Sequence, residues 1–406
     1  MGKKILIVSH SMEIGGAERS LLGLLSALDP QKVEIDLFLL RHEGELYEYI
    51  PSYVNVLPEI PAYTVLARPM KTTLREGHFL LTAARLMGKV MAWGYNRYKH
   101  YQNSDVALEY SHKYTWRLMP QIMSEKRYDL AISFLTPHYI VINKVNADKK
   151  LAWIHTDYGE IKINKKSEYK MWNSYDNIIS ISESVTRSFE KMFPALKKKI
   201  IIIENILPEE LILKQARAYS VQKEMSSDGS YHFLSIGRYC YAKNFDNIPE
   251  ICHQLIKFGI DVKWYIIGFG SDEELIRTKI KQWNMEKRVI LLGKKDNPYP
   301  YIKSCDWYIQ PSRFEGKAVT VCEAQILHKP IIIANYATAK SQLINGYDGM
   351  IVSQENVECA KEIVNIIKNE KLKESLIDNT YRKDYSNKKQ VQKLYTLIEG
   401  GSVRCQ

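Results

Sequence analysis

The chain has 406 residues, of which 45% are hydrophobic and 25% charged, with a formal net charge of +11. That length suggests two or three domains around a large core, and that composition excludes wholesale disorder. The six cysteines (Cys240, Cys252, Cys305, Cys322, Cys359, Cys405) lack the close pairs of a zinc site, Ile5 to Val8 is too short for a signal peptide, and no run of about twenty apolar residues exists to span a bilayer. A reducing cytoplasm is the expected setting.

Short apolar runs alternate with helical patterns throughout, the pattern of an α/β chain built from βαβ units around mostly parallel sheets. In the first half, strands are expected at 4–8, 34–40, 129–134, 151–155, 177–181 and 200–203, with helical patterns after Ala17, Ser167 and Glu183. After the first strand comes His10-Ser11-Met12-Glu13-Ile14-Gly15-Gly16-Ala17-Glu18. The paired glycines let a ligand approach the backbone, and the helix start offers N–H groups to an anion.

Residues 61–127 hold eleven Lys and Arg against four Asp and Glu, so most of the excess charge is local. Within them Phe79, Leu80, Ala83, Met87, Val90 and Met91 recur at helical spacing, with Arg85 and Lys89 on another face and Trp93, Tyr95, Tyr98 and Tyr101 following. Such a pattern suits a helix lying at a membrane surface, or one packed on its own domain with a solvated basic face. His78, His100 and His112 lie in this segment without an acid or cysteine partner, and read as background. Further on, Trp153-Ile154-His155-Thr156-Asp157 ends a strand, where a neutral imidazole can bond a sugar hydroxyl.

The polar segment 218–230 reads as a linker between domains at 1–217 and 231–385. The second half starts afresh, with strands expected at 231–236, 263–267, 289–292, 307–310, 330–334 and 350–352. Gly237-Arg238 closes the first of these, and Lys243 follows five residues after the arginine. A planar fork of donors and a compact point charge in one strand-to-helix loop suit a pyrophosphate. Gly268-Phe269-Gly270 follows the next strand, but Glu273 stands where a dinucleotide fingerprint needs Gly or Ala, so no nicotinamide or flavin cofactor is expected. No Asp-x-Asp pair invites a metal. After the strand at 307–310 and Pro311-Ser312, Glu315 and Glu323 stand eight positions apart, with a helix expected to open near Lys317 or Ala318. Loops of this kind lie at the carboxyl ends of strands, where ligands bind. The tail 386–406 carries a weak helical pattern from about 387 to 399.

Taken together, the glycine pair, Gly237-Arg238 with Lys243, Gly268-x-Gly270 and Glu315 through seven residues to Glu323 resemble a retaining glycosyltransferase of the GT-B fold, family 4 (glycosyl transferases group 1) type. The resemblance implies two Rossmann-like domains facing each other across a cleft, with a C-terminal helix crossing back to the first. It implies a metal-independent hexosyltransferase moving sugar from a nucleotide-diphosphate donor, UDP before GDP, to a glycan or lipid-linked acceptor. Arg238 and Lys243 would grip the diphosphate, Glu323 the ribose, and Glu315 the donor sugar, with amides from Gly316 through Lys317 to Thr320 holding hydroxyls or phosphate. His155 would lie near the donor sugar and Gly16 over the diphosphate, while Gly15, Glu18 and Asp157 would stand on the acceptor side. Cell-surface polysaccharide or glycolipid synthesis at an anionic cytoplasmic leaflet is expected, and no nucleic-acid partner. A nucleotide-sugar epimerase and a non-catalytic nucleotide-sugar-binding protein are the alternatives.

Overall fold

The computed structural model describes residues 2–401 apart from 103 and 227. Ser227, in the polar segment 218–230, and Cys405 therefore lie outside the described residues. The chain divides into two compact units, Met1–Ile206 with Lys388–Gln406, and Leu207–Asn387.

In the first unit the strands are β1 (Lys3–Ser9), β2 (Val33–Leu39), β3 (Asn55–Val56), β4 (Tyr128–Ser133), β5 (Ala147–Ile154), β6 (Asn177–Ser180) and β7 (Ile200–Ile202). They form one sheet in the order β3-β2-β1-β4-β5-β6-β7, with every pair parallel. Parallel strands are covered on both faces and so read as unbroken apolar runs; Ile5, Leu6 and Ile7 are fully buried. The edge strand β3 escapes a sequence reading because it is two residues long and meets only Asp36 and Leu37. Helix α1 (Gly16–Ala27) opens after β1 with Gly15 as its N-cap.

Between β3 and β4 lie α2 (Phe79–Lys99) and α3 (Val106–Thr115), packed against each other. The expected helical period of α2 is present, but the face it buries is the small one: Leu81, Thr82, Ala84, Gly88 and Ala92. A Cβ on Gly88 would lie 2.9 Å from the Tyr110 carbonyl oxygen, so the two helices approach too closely for anything larger. The large side chains Phe79, Leu80, Leu86, Met87, Val90, Met91, Trp93 and Tyr98 are left 48–75% exposed. Arg85 does not join a solvated basic face. It is partly buried and donates to the carbonyls of Val65 and Arg68. Helix α4 (Lys165–Asn173) follows β5, with the Asn164 side chain accepting from the Ser167 N–H at its start.

The second unit opens with α5 (Glu209–Gln215). Its Ile212, with Leu207, Ala216, Val221 and Met225, shares one apolar cluster with Leu234, Tyr308 and Val321, which is why the division falls at 206/207, ahead of the polar segment. The strands are β8 (Tyr231–Ile236), β9 (Val262–Ile267), β10 (Val289–Gly293), β11 (Trp307–Gln310), β12 (Ile331–Ala334) and β13 (Met350–Val352), in the parallel order β10-β9-β8-β11-β12-β13. The chain winds outward one way from β8 and the other way from β11, so the switch point lies between their carboxyl ends. Helix α6 (Val319–Ile326) follows β11.

The final helix, α7 (Val391–Ile398), belongs to the first unit. The Tyr395 hydroxyl accepts from the Asp29 N–H at 2.7 Å, and the Lys149 ammonium donates to the Leu397 carbonyl at 3.0 Å. Both units are Rossmann-like α/β layers. Among the described residues no helix is long and apolar enough to cross a membrane.

Candidate functional site

At the switch point of the second unit, the loop after β8 and the loop after β11 bring Lys243 and Glu315 together. The Lys243 ammonium donates to Glu315 Oε1 at 2.5 Å, with the two side chains 20% and 10% exposed. The same oxygen accepts from Ser312 Oγ at 2.6 Å and Gln310 Nε2 at 3.1 Å. Gln310 is itself fixed by the Tyr308 hydroxyl, which donates to its Oε1 at 2.8 Å. Three donors on one oxygen lock the carboxylate, while Oε2 accepts no hydrogen bond among the described residues. The ammonium has three protons, so Lys243 can keep Glu315 and still donate to a ligand.

Why these loops meet follows from local sequence. A Cβ on Gly237 would lie 3.1 Å from Lys243 Cε, so the glycine gives the lysine stem room to fold back over the end of β8. Gly268, at φ +155°, lies so near that a Cβ there would stand 1.9 Å from the Gly237 carbonyl oxygen, and no other residue fits. Arg313 then ties the β11 loop to the β8 loop: it forks onto Asp246 at 2.9 and 2.7 Å and stacks over the Tyr241 ring at 4.3 Å. Arg238 is exposed and takes part in no hydrogen bond or ion pair among the described residues. Its donors are free for a ligand among the described residues.

Glu323 is placed differently from a carboxylate presented to a ligand. It stands on α6 with no exposed surface, and its Oε1 accepts from the Tyr299 hydroxyl at 2.9 Å. It still shares surroundings with Glu315: burial first, and then the charges of both carboxylates, push the Tyr308 hydroxyl well above its ordinary range. Of the amides from Gly316 to Thr320, that of Ala318 is taken by Gln342 Oε1 at 2.8 Å. Those of Val319 and Thr320 open α6, where helix geometry leaves N–H groups without intrahelical partners. Gly316 and Lys317 lie half-buried on the approach.

In the first unit Gly16 is exposed at the start of α1, and Gly15 makes room for Glu18, whose Oε2 would stand 2.1 Å from a Cβ at that position. Burial raises the Glu18 carboxyl pKa. Asp157 Oδ1 accepts from the Gly159 N–H at 2.8 Å and so shapes its own turn. His155 follows β5 directly, its ring 4.7 Å from that of Phe134 and its Nε2 buried without a hydrogen-bond partner among the described residues. Burial holds its pKa down to about 4, which keeps the imidazole neutral at ordinary pH.

His155 also lines a cavity of about 220 Å³ that sequence reading did not find. His112, set aside as background, is 6% exposed and lines it too, one helical turn after Glu109. The Glu109–His112 spacing on one helix face was the available signal. Glu168 on α4 accepts from the Tyr158 hydroxyl at 2.7 Å and from Trp172 Nε1 at 3.2 Å. Burial pushes its carboxyl up to about 7 despite those donors. Arg313 was missed for another reason: its partners Tyr241 and Asp246 lie 72 and 67 residues away in sequence.

Residues 218–383 match the family described as Glycosyl transferases group 1. An uncharacterized glycosyltransferase of Methanocaldococcus jannaschii is 27% identical over 225 residues, 54% of this chain and 57% of that protein. The N-acetylgalactosamine-N,N'-diacetylbacillosaminyl-diphospho-undecaprenol 4-alpha-N-acetylgalactosaminyltransferase of Campylobacter jejuni is 24% identical over 250 residues, 61% of this chain and 63% of that protein. The chain thus spans little more than half the length of these curated relatives. The crystal structure of Anabaena HepE in complex with UDP and glucose is similar at a TM-score of 0.67 and 14% identity, over 97% of this chain and 100% of that one. That likeness establishes the fold.

Proposed function

We propose, on the premise that residues 218–383 belong to the glycosyl transferases group 1 family, that this chain moves a hexose-type sugar from a nucleotide-diphosphate donor to a glycan or lipid-linked acceptor with retention of configuration. The observation that carries this reading is that the loop after β8 carries Arg238, without a hydrogen bond or ion pair among the described residues, and Lys243, which meets Glu315 from the loop after the neighbouring β11. As the bond from the anomeric carbon to the diphosphate lengthens, negative charge grows on the leaving oxygen and positive character on the sugar ring. Two cations on that loop, Lys243 already held by Glu315, would stabilise that oxygen more in the transition state than in the ground state, which lowers the barrier. The acceptor hydroxyl attacks from the leaving-group face, its proton passes to the departing phosphate oxygen, and the unengaged Oε2 of Glu315 steadies the sugar cation. HepE holds UDP, and the C. jejuni relative is named for an alpha linkage on a diphospho-undecaprenol saccharide. Both favour a UDP-sugar and a cell-surface polysaccharide or glycolipid product for this chain.

Thermal unfolding in a panel of UDP- and GDP-sugars tests the donor, because a ligand of the native state raises the midpoint. At least one UDP-sugar should do so, and transfer from it should proceed unchanged in EDTA. Silence across the whole panel removes the reading. A rate lost in EDTA and restored by manganese removes its metal-free mechanism.

The same reading places the protein at the cytoplasmic face of an anionic membrane. In its support, the exposed face of α2 carries Leu80, Met87, Val90, Met91 and Trp93, and the surrounding segment 61–127 has a net charge of +7. A large apolar face rimmed by Lys and Arg lowers its free energy by entering the headgroup region. Arg97 over Trp93 at 5.7 Å and Lys99 over Tyr98 at 5.1 Å join the apolar and cationic elements. The protein should co-sediment with phosphatidylglycerol liposomes, be released by salt, and lose binding in Met87→Glu/Met91→Glu. Equal binding to neutral liposomes, or binding indifferent to the double substitution, argues against this surface.

A further inference from the structure

We infer that Arg313 is a positioning residue for transfer, a clamp that fixes the β11 loop against the β8 loop and so sets where Lys243 and Glu315 stand. The inference rests on the transferase reading where it speaks of turnover; the clamp itself rests on its contacts. Arg313 and Glu315 are two positions apart on one loop, and Asp246 and Lys243 three apart on the other, so two ion pairs cross the same junction. Around the Arg313 fork on Asp246, its Nη1 donates to the Tyr241 carbonyl at 2.7 Å and its backbone N–H to the Ala242 carbonyl at 2.8 Å. Asn244, at φ +61°, donates from Nδ2 to the Pro311 carbonyl at 2.9 Å. Every residue from Tyr241 to Asn244 thus either bonds across to 311–315 or carries a bond from it.

Reacting groups need to be held within about 0.5 Å of their productive geometry, and loops at a strand's end do not hold that tolerance unless other groups lock them. Lys243 carries its charge on a flexible stem, and Glu315 moves with its loop. A planar fork on a carboxylate fixes direction as well as distance, which a single ammonium contact does not. Arg313 acts through these neighbours and not on the donor itself: its Nη1 and Nη2 are engaged by Tyr241 and Asp246, and its plane lies over the Tyr241 ring. The remaining support of the β11 loop comes from elsewhere. Gln354 Nε2 donates to the carbonyls of Ser312 and Arg313 at 3.2 and 2.9 Å, and the Thr338 hydroxyl to the Glu315 carbonyl at 2.7 Å. Without Arg313 the loop therefore stays folded but loses its registration on the β8 side. The Arg313 and Asp246 side chains are 22% and 15% exposed, outside the apolar core, so their loss leaves the fold standing.

Steady-state kinetics and hydrogen exchange on the full chain test this together. Arg313→Ala should lower kcat about tenfold to a hundredfold, the scale on which a small misplacement of a reacting group is felt, with KM for the nucleotide-sugar within about threefold. Asp246→Ala should do the same, and the double variant should be no slower than either single one, because the pair acts as a unit. Arg313→Lys, which keeps the charge and loses the fork, should recover only part of the rate. Deuterium uptake in peptides covering 241–246 and 311–316 should quicken in both alanine variants, with the rest of the second unit unchanged. The inference is overturned if Arg313→Ala keeps kcat within about threefold of wild type, if KM rises while kcat holds, which would make Arg313 a donor ligand, or if uptake in both loops is unaltered. A wild-type chain that transfers from no nucleotide-sugar refutes the transferase reading alone, and exchange still decides the clamp; transfer indifferent to Arg313 refutes the clamp alone.

Discussion

Arg238→Ala is expected to lower kcat by about a hundredfold or more, the size of effect seen when one preorganised donor to a developing charge is removed, while leaving the unfolding midpoint within error. The two halves of that expectation have separate causes. The guanidinium is exposed and bonded to nothing among the described residues, so its removal falls among surface changes worth about ±0.5 kcal/mol. Its proposed work is done only when a diphosphate leaves. Arg238→Lys should recover part of the rate, because an ammonium restores the charge without the planar fork. Initial rates at saturating acceptor, with kcat and KM determined separately, decide the matter. An Arg238→Ala enzyme within threefold of wild type would take this cation out of the mechanism.

The fold was legible where burial on both faces forces continuous apolar strands, as at Leu6 to Val8 or Trp307 to Gln310. It was illegible where a strand is only two residues at an edge, as at Asn55–Val56. Helix α2 shows a subtler limit. Its period could be read, but the rule that larger apolar residues face inward points the wrong way, because the backbone of Tyr110 approaches so closely that Ala84, Gly88 and Ala92 win the interface. In the site, residue types and their strand-end positions were visible in Arg238, Lys243 and Glu315. What sequence does not carry is which charges are already engaged: Lys243 is paired, Arg238 is not, and Glu323 is covered. The Glu109, Glu168 and His112 cluster was hidden because α3 and α4 are separated by two strands.

Lys243→Met should behave unlike Arg238→Ala, losing both turnover and stability. The ammonium is held 2.5 Å from a carboxylate that is only 10% exposed, so its removal leaves Glu315 charged with Ser312 and Gln310 as its remaining donors. Breaking a fully buried pair costs about 3–5 kcal/mol; the partial exposure of Lys243 screens the charge and brings the expected loss to about 1–3 kcal/mol. Adding Glu315→Gln removes the orphaned charge while keeping an oxygen for Ser312. The double variant should therefore be more stable than Lys243→Met alone, with a coupling of about 0.5–3 kcal/mol in a denaturant double-mutant cycle. Turnover should stay lost, since neither the cation at the leaving oxygen nor the charge beside the sugar ring has been returned. That dissociation separates the pair's part in holding the two loops together from its part in the chemistry. Additive stabilities across the cycle would mean that the two side chains do not meet in solution, and a double variant that turns over normally would place the reaction elsewhere.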